Sequence, residues 1–337
     1  MDLRRGAIGW RLVLKSEGEE KVIVIRDFLT GIAVSSMVFI LAAAFPSSAS
    51  FLFFLGPLPI IFYYSKLGRR LGLFLVLGAF VIVLSALGAL GHGEYIPLFC
   101  LLGFLGVTVG EVLGRRLSIE QTVLISLGIV IIPILLLIAY SMLRTGNPPW
   151  RWAEPYLVRT ILENVKLYAE MGVPAEQIDL LRENAPKIAH TFINILPSLS
   201  LISLALCIWL NTIAVRAIFH RQGVHFPDFG DLTRWKAPEK LVWLIIGSGG
   251  MLLIPEGRVF YTGLNLLLLG LFVYLLQGLA IVSYFFKTRN IPVILRSIFY
   301  ALLIFQLTLV LPVIAVGLFD LWIDFRKFNK KMDGSTA

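Results

Sequence analysis

Charge is scarce in this chain. Only 15% of its 337 residues are Asp, Glu, Lys or Arg, against about a quarter in soluble domains, while hydrophobic residues reach 58%. A fold in water with so little polar material cannot cover its own surface, so lipid is the solvent for most of the chain. A soluble enzyme, a disordered protein and a secreted disulfide scaffold are excluded together. Cysteine is scarcer still. Cys100 and Cys207 are the only two, both lie inside apolar runs, and packing is a better reading for them than a disulfide or a metal. The patterns that announce chemistry are also missing: no H-E-x-x-H, no zinc-ligand spacing, no P-loop, no nucleophile elbow and no Rossmann glycines. No enzymatic activity, metal or cofactor is expected.

What the chain has instead is long apolar runs, with a mean hydropathy of +0.84. A helix needs about 20 apolar residues to cross a bilayer core. By that measure the runs are 28–45, 51–65, 70–91, 95–114, 119–143, 188–216, 239–255, 259–286 and 292–322. Two are weak, 51–65 with Gly56, Pro57 and Pro59 inside it and 239–255 with Gly247, Gly249 and Gly250. Broken backbone at membrane depth is tolerated only where protein or a wet cavity satisfies it, so either run lines a site or is re-entrant. The expected fold is an all-α polytopic transmembrane bundle of eight or nine membrane helices.

The net charge of +9 does not point to nucleic acid, because the basic residues sit in short clusters beside apolar runs. Lys66, Arg69 and Arg70 form one, Arg115 and Arg116 another, as cytoplasmic topology signals do. These place the N-terminus in the cytoplasm. The first 27 residues mix both signs of charge without a hydrophobic core, so no cleavable signal peptide is expected; within them 21–25 alternates weakly and reads as a short strand or an interfacial segment. Nine crossings would put the basic tail (Arg326, Lys327, Lys330, Lys331) outside, against the rule. The conflict is resolved if a weak run is re-entrant or the last run turns back at Pro312, and a cytoplasmic tail is favoured.

The chain then divides into a cytoplasmic N-terminal segment 1–27, five membrane helices over 28–143, an extracytoplasmic insert 144–187, a sixth membrane helix 188–218, a cytoplasmic loop 219–238, C-terminal membrane helices 239–325 and the basic tail 326–337. The insert carries two amphipathic helix patterns. In the first, Leu157, Val158, Ile161, Leu162, Val165 and Tyr168 form an apolar stripe opposite Arg159, Glu163, Lys166 and Glu170. Gly172 and Pro174 end it, and a shorter helix over 175–182 follows before Pro186.

Four glycines, Gly103, Gly106, Gly110 and Gly114, run along one helix, and the last three read G-x-x-x-G-x-x-x-G. That spacing lets a second helix backbone approach closely, here within the same molecule. Glu111 is expected to pair locally with Arg115, and Ser118 with Gln121 forms a capping box opening the next helix. Asn211, Thr212, Asn265, Gln277 and Gln306 read as hydrogen-bond glue between helices. Asp320, Asp324 and Arg326 read as a charged helix end at the interface.

The outer ends of several runs collect polar groups: His92 and Glu94 after the third, Tyr140 and Arg144 closing the fifth, and His190 and Asn194 beginning the sixth. His190 and Asn194 are four apart and share a helical face, and Pro197 offers a kink beside them. A histidine with a carboxylate and an amide at a membrane mouth can bind a polar solute, and these six residues are the candidate ligand-binding set, although each taken alone also suits an ordinary interfacial position.

Two resemblances follow. The stretch Gly56-Pro57-Leu58-Pro59 leading to Lys66-Leu67-Gly68, with glycine-rich runs behind it, resembles the six-helix domain of S components of energy-coupling-factor transporters over about 28–216. It implies an outward-opening ligand pocket where His92, Glu94, Arg144, His190 and Asn194 would lie. The segments Leu276-Gln277-Gly278-Leu279-Ala280 and Gly317-Leu318-Phe319-Asp320, followed by Trp322, Asp324, Phe325 and Arg326, look like the C-terminal signature of the uncharacterised YybS-like bacterial membrane proteins, a resemblance that covers most of the chain. Together they imply an S-component-like half followed by C-terminal helices, in a protein that binds or transports a small solute from the extracytoplasmic side. Active uptake would then need a partner ATPase. The alternative is a non-transporting membrane scaffold for envelope or division machinery, working through membrane protein partners.

Overall fold

The computed structural model describes residues 17–45, 50–148, 150–223, 226–255 and 257–327. The N-terminal residues 1–16 and the tail lysines Lys330 and Lys331 lie outside them. The described residues form helices and no strand. In chain order these are α1 (Glu17–Ala44), α2 (Ser50–Leu55), α3 (Pro57–Leu67), α4 (Arg69–Leu90), α5 (Ile96–Leu113), α6 (Ile119–Thr145), α7 (Trp150–Glu170), α8 (Ala175–Arg221), α9 (Leu241–Met251), α10 (Arg258–Thr288), α11 (Val293–Phe305) and α12 (Val310–Ile323), with three single-turn 3₁₀ segments. The weakly alternating stretch 21–25, read as strand or interfacial segment, is helical and continuous with α1.

Among the described residues six helices are long and apolar enough to cross a membrane, and seven if the pair Val293–Phe305 and Leu307–Ile323, bent by 108°, is one span. The difference from eight or nine has a plain cause. The prolines and glycines flagged in 51–65 and 239–255 leave only the shorter apolar helices Leu52–Leu67 and Leu241–Met251, and an 11-residue α-helix such as α9 rises about 17 Å against a core of about 30 Å. The last run breaks at Gln306, six residues before Pro312.

The long helices are apolar on both sides. On α4 the buried stripe Leu75, Ala79, Val83 and Leu87 faces inward, while Phe74, Leu77, Val81 and Ile82 are exposed. On α6 the pattern inverts the soluble rule: Thr122 and Ser126 are buried, and Leu124, Ile132, Leu135 and Leu136 are exposed. An apolar exterior over a small, partly polar interior is what lipid as solvent selects.

The chain falls into two compact units, Met1–Arg144 with Ser203–Phe229, and Thr145–Ile202 with Gly230–Ala337. In the first, short α3 packs against α1, α4 and α5. Glycines make this possible: a Cβ at Gly106 would meet Ile60 at 2.8 Å, one at Gly110 would meet Tyr64 at 2.7 Å, and one at Gly72 would meet Tyr64 at 2.5 Å. At Gly103 a Cβ would meet nothing within 4 Å, so the close approach uses the middle of the glycine series. The α2–α3 break lies inside protein, as broken backbone in a membrane must. Pro57 and Pro59 offer no N–H to the preceding turn, and the Asn211 amide donates to the Phe54 carbonyl at 2.6 Å. Lys66 reaches the buried Asp27 at 2.7 Å. Glu111 accepts from the Tyr64 hydroxyl at 2.8 Å and lies 3.9 Å from Arg69. The expected pairing with Arg115 therefore gives way to partners on α3 and α4, because Glu111 lies on the face that α5 turns to them.

In the second unit α10 is the axis, with α9 and α12 packed against it. The approach is closest where glycines stand. A Cβ at Gly263 would meet Met251 at 2.6 Å, and one at Gly278 or Gly317 would run into the carbonyl of Val313 or Tyr274 respectively. The predicted first amphipathic helix of the insert is α7. The second does not stop at Arg182: α8 runs through Pro186 and Pro197 to Arg221, since a proline removes one helical hydrogen bond without forbidding continuation when neighbours compensate.

Candidate functional site

The expected ligand residues appear as separate local groups. In the first unit, the His92 ring and the Glu94 carboxylate lie 3.4 Å apart beside the 3₁₀ turn Gly93–Tyr95, and the Tyr95 ring packs against that of His92 at 6.0 Å. Arg144 donates to the Tyr140 hydroxyl at 3.3 Å, one turn back along α6. Both are short-range pairs on exposed ends.

In the second unit a larger arrangement forms from two helices. His190 and Asn194 project from α8, and α10 brings Tyr261 and Asn265 to them. The His190 Nδ1 lies 3.3 Å from the Tyr261 hydroxyl, and the Asn194 amide lies 3.4 Å from the His190 ring. Asn265 explains why the helix tolerates this place. Its amide donates to the Asn194 carbonyl at 2.7 Å and its Oδ1 accepts from the Ser198 N–H at 3.0 Å. These two backbone groups are partners in an undisturbed helix. The carboxamide thus serves the turn that contains Pro197, which has no N–H of its own. With the backbone of the Pro197 turn served by Asn265, the His190 ring and the Tyr261 hydroxyl keep further hydrogen-bonding capacity.

A second polar constellation, deeper and more highly charged, surrounds the middle of α10. Gln277 accepts from the Ala237 N–H at 3.0 Å and donates to Asp320 Oδ2 at 3.0 Å. Asp320 is 1% exposed; it also accepts from the Phe325 N–H at 3.0 Å and has Arg326 at 3.9 Å and Lys236 at 4.0 Å. Arg326, itself buried, donates to the carbonyls of Arg234 and Trp235. The charged helix end read as interfacial closes as a largely buried clasp on segment 231–237, formed because Gln277 and a basic loop supply partners for Asp320.

The electrostatics outside the membrane-spanning segments agree. Asp231 caps the 3₁₀ turn Leu232–Arg234, and the Thr233 hydroxyl, followed by Lys287 at 3.1 Å, holds its carboxyl below the usual range. At Asp324 partial burial pushes the pKa up, but Lys327 and Lys236 outweigh it and the net shift is downward. Burial lowers the Arg326 pKa while Asp320 and Asp324 oppose the shift, and a guanidinium stays charged throughout.

Tyr261 was not among the expected site residues, yet it stands four before Asn265, the same spacing as His190 to Asn194. Among the described residues no three His, Cys, Asp or Glu side chains are placed to hold a metal ion together. A recess of about 660 Å³ runs along α7 between Arg151 and Lys166; its lining comes from one helix, so it is a surface furrow.

No curated protein and no solved structure matches this chain, and the S-component likeness remains a sequence resemblance. A family model does match, described as predicted membrane protein (DUF2232), over residues 33–321. That span includes both C-terminal motifs, Gln277-Gly278 and Gly317 to Asp320, which the structure brings into contact. The chain is a multi-pass membrane protein and belongs to this predicted membrane protein family, DUF2232.

Proposed function

We propose that this protein binds a small polar solute beside the Pro197 turn of α8, with His190 and Asn194 of α8 and Tyr261 of α10 as the contact groups. The observation that carries the reading is the division of labour at Pro197. Asn265 is engaged with backbone, while the His190 ring and the Tyr261 hydroxyl touch each other and keep donor and acceptor capacity for a guest. Polar side chains beside a broken turn are a common way for membrane helices to build a site, because the freed backbone must be satisfied by neighbours anyway. An imidazole paired with a phenol suits a solute that carries both donors and acceptors, such as a hydroxylated or amide-bearing metabolite. Uptake by ATP hydrolysis would require a partner, since the chain has no P-loop.

The test is to purify the protein from native membranes, denature it and identify released small molecules by mass spectrometry, beside His190→Ala and Tyr261→Phe. The reading expects a polar metabolite in the parent sample that is depleted in both variants. A parent sample without one, and with no thermal stabilisation across a panel of polar metabolites, rejects it. A scaffold role finds its best support in α7, where Tyr156 is 70% exposed and Met171, just past the helix end, 77%. The same preparation would then carry envelope proteins instead of a metabolite.

A further inference from the structure

The bent pair α11–α12 has a direction that hydropathy cannot supply. Its first limb starts beside the end of α10: the Phe286 and Phe299 rings lie 5.4 Å apart, and the Ser283 and Tyr300 hydroxyls are 2.7 Å apart. Its second limb finishes beside segment 231–237, where Arg326 holds the carbonyls of Arg234 and Trp235 and Lys236 pairs with Asp324 at 3.3 Å. That segment is itself tied to the last turn of α10 by Asp231 and Lys287 at 3.1 Å. Both ends of the pair therefore stand at the end of α10 where the chain leaves it.

We propose that α11–α12 is a re-entrant hairpin that enters and leaves by the membrane face at which α10 ends, its tip held among the acyl chains of one leaflet. Length supports this. A limb of 13 or 14 residues rises about 20 Å, short of the roughly 30 Å of a hydrocarbon core, and a bend of 108° turns the second limb back. Surface chemistry supports it as well. Ile304, Phe305 and Leu307 at the bend are 68%, 87% and 79% exposed, as suits contact with lipid. Charge appears only towards the two ends, at Lys287 and Arg289 before the pair and Asp324, Arg326 and Lys327 after it, apart from Arg296 in the first limb and the buried Asp320 in the last turn of the second. Arg296 turns inward onto the carbonyls of Ile291 and Phe286. The bend also provides for its own backbone: the Gln306 N–H donates to Leu302 and the Leu309 N–H to Gln306, which an irregular turn facing lipid requires. The Gln277–Asp320 contact then acts as the anchor of the returning limb.

The test uses the full chain with Cys100 and Cys207 replaced by serine, and single cysteines introduced as Thr288→Cys, Gln306→Cys and Lys327→Cys. Sealed vesicles of both orientations are exposed to a membrane-impermeant maleimide. The hairpin predicts that positions 288 and 327 label from the same face and that 306 labels from neither. Labelling of 288 and 327 from opposite faces, or of 306 from either face, overturns it. Epitope tags placed after residue 337 and within 289–291 of the otherwise unaltered chain repeat the comparison without touching the clasp: accessibility from one shared face supports the hairpin, and opposite faces reject it.

Discussion

Gln277 and Asp320 meet at 3.0 Å across the contact between α10 and α12, 43 residues apart in sequence. Each is one residue or one turn from a glycine, Gly278 and Gly317, at which the two helix backbones come closest. The glycines bring the helices together, and the amide and carboxylate join them where no hydrophobic effect favours association.

Removing the carboxylate should be the most damaging single change in the second unit. Asp320→Ala leaves Arg326 buried without its counter-ion and Gln277 without an acceptor. A broken buried pair costs about 3–5 kcal/mol, and the variant is expected to show a much lower unfolding temperature in detergent. Asp320→Asn, which keeps an oxygen for Gln277, should be the milder of the two.

At Gly278 even one methyl group has no room, because the Val313 carbonyl occupies the position of its Cβ. Gly278→Ala should destabilise by about 1–3 kcal/mol through overpacking. Gly247→Ala, where a Cβ would meet nothing within 4 Å, should be neutral or slightly favourable. Thermal unfolding of the pair checks the contrast.

Asn265 is predicted to act on the shape of α8. Asn265→Leu strands the Ser198 N–H and the Asn194 carbonyl at the Pro197 turn, at a cost of about 1–2 kcal/mol. Backbone hydrogen exchange should rise around 194–198 and remain unchanged in α4. A uniform rise across the protein would contradict a local role.

The loop clasp should loosen in acid. Asp231 and Asp324 have folded-state pKa values below their unfolded ones. Their contribution is therefore fully present above the ordinary aspartate pKa of about 3.9 and is lost as pH falls through the depressed folded values. Limited proteolysis within 231–240 should be slow at neutral pH and accelerate only below about pH 4. Acceleration near pH 6 would point to a different group.

Much of the architecture is legible in residue order because lipid imposes length and polarity together. Runs 70–91 and 119–143 become α4 and α6 with nearly the expected bounds, and the Ser118–Gln121 capping box forms as the spacing predicts, with both reciprocal contacts at 3.3 Å. What residue order hides is direction and partnership. Nothing at Gln306 marks a turn, since neither glycine nor proline stands there, and the flagged Pro312 lies within α12. The partners of the buried Asp320 include Gln277, 43 residues away, and Lys236, farther still in the chain. Of the candidate ligand residues, His190 and Asn194 gain partners from another helix, whereas His92 with Glu94 and Tyr140 with Arg144 pair only with near neighbours in sequence. Tyr261 has a readable signal: the four-residue spacing of Tyr261 and Asn265 repeats that of His190 and Asn194, as two facing helical stripes require.

The binding of a solute beside Pro197 of α8 is most directly tested by a density map of the protein, purified from native membranes into nanodiscs, at a resolution that separates side chains. Solute binding there predicts non-protein density within hydrogen-bonding distance of the His190 ring and the Tyr261 hydroxyl, absent from a map of His190→Ala. Apolar side chains closing over both groups in the parent protein, with no room for a guest, would contradict it.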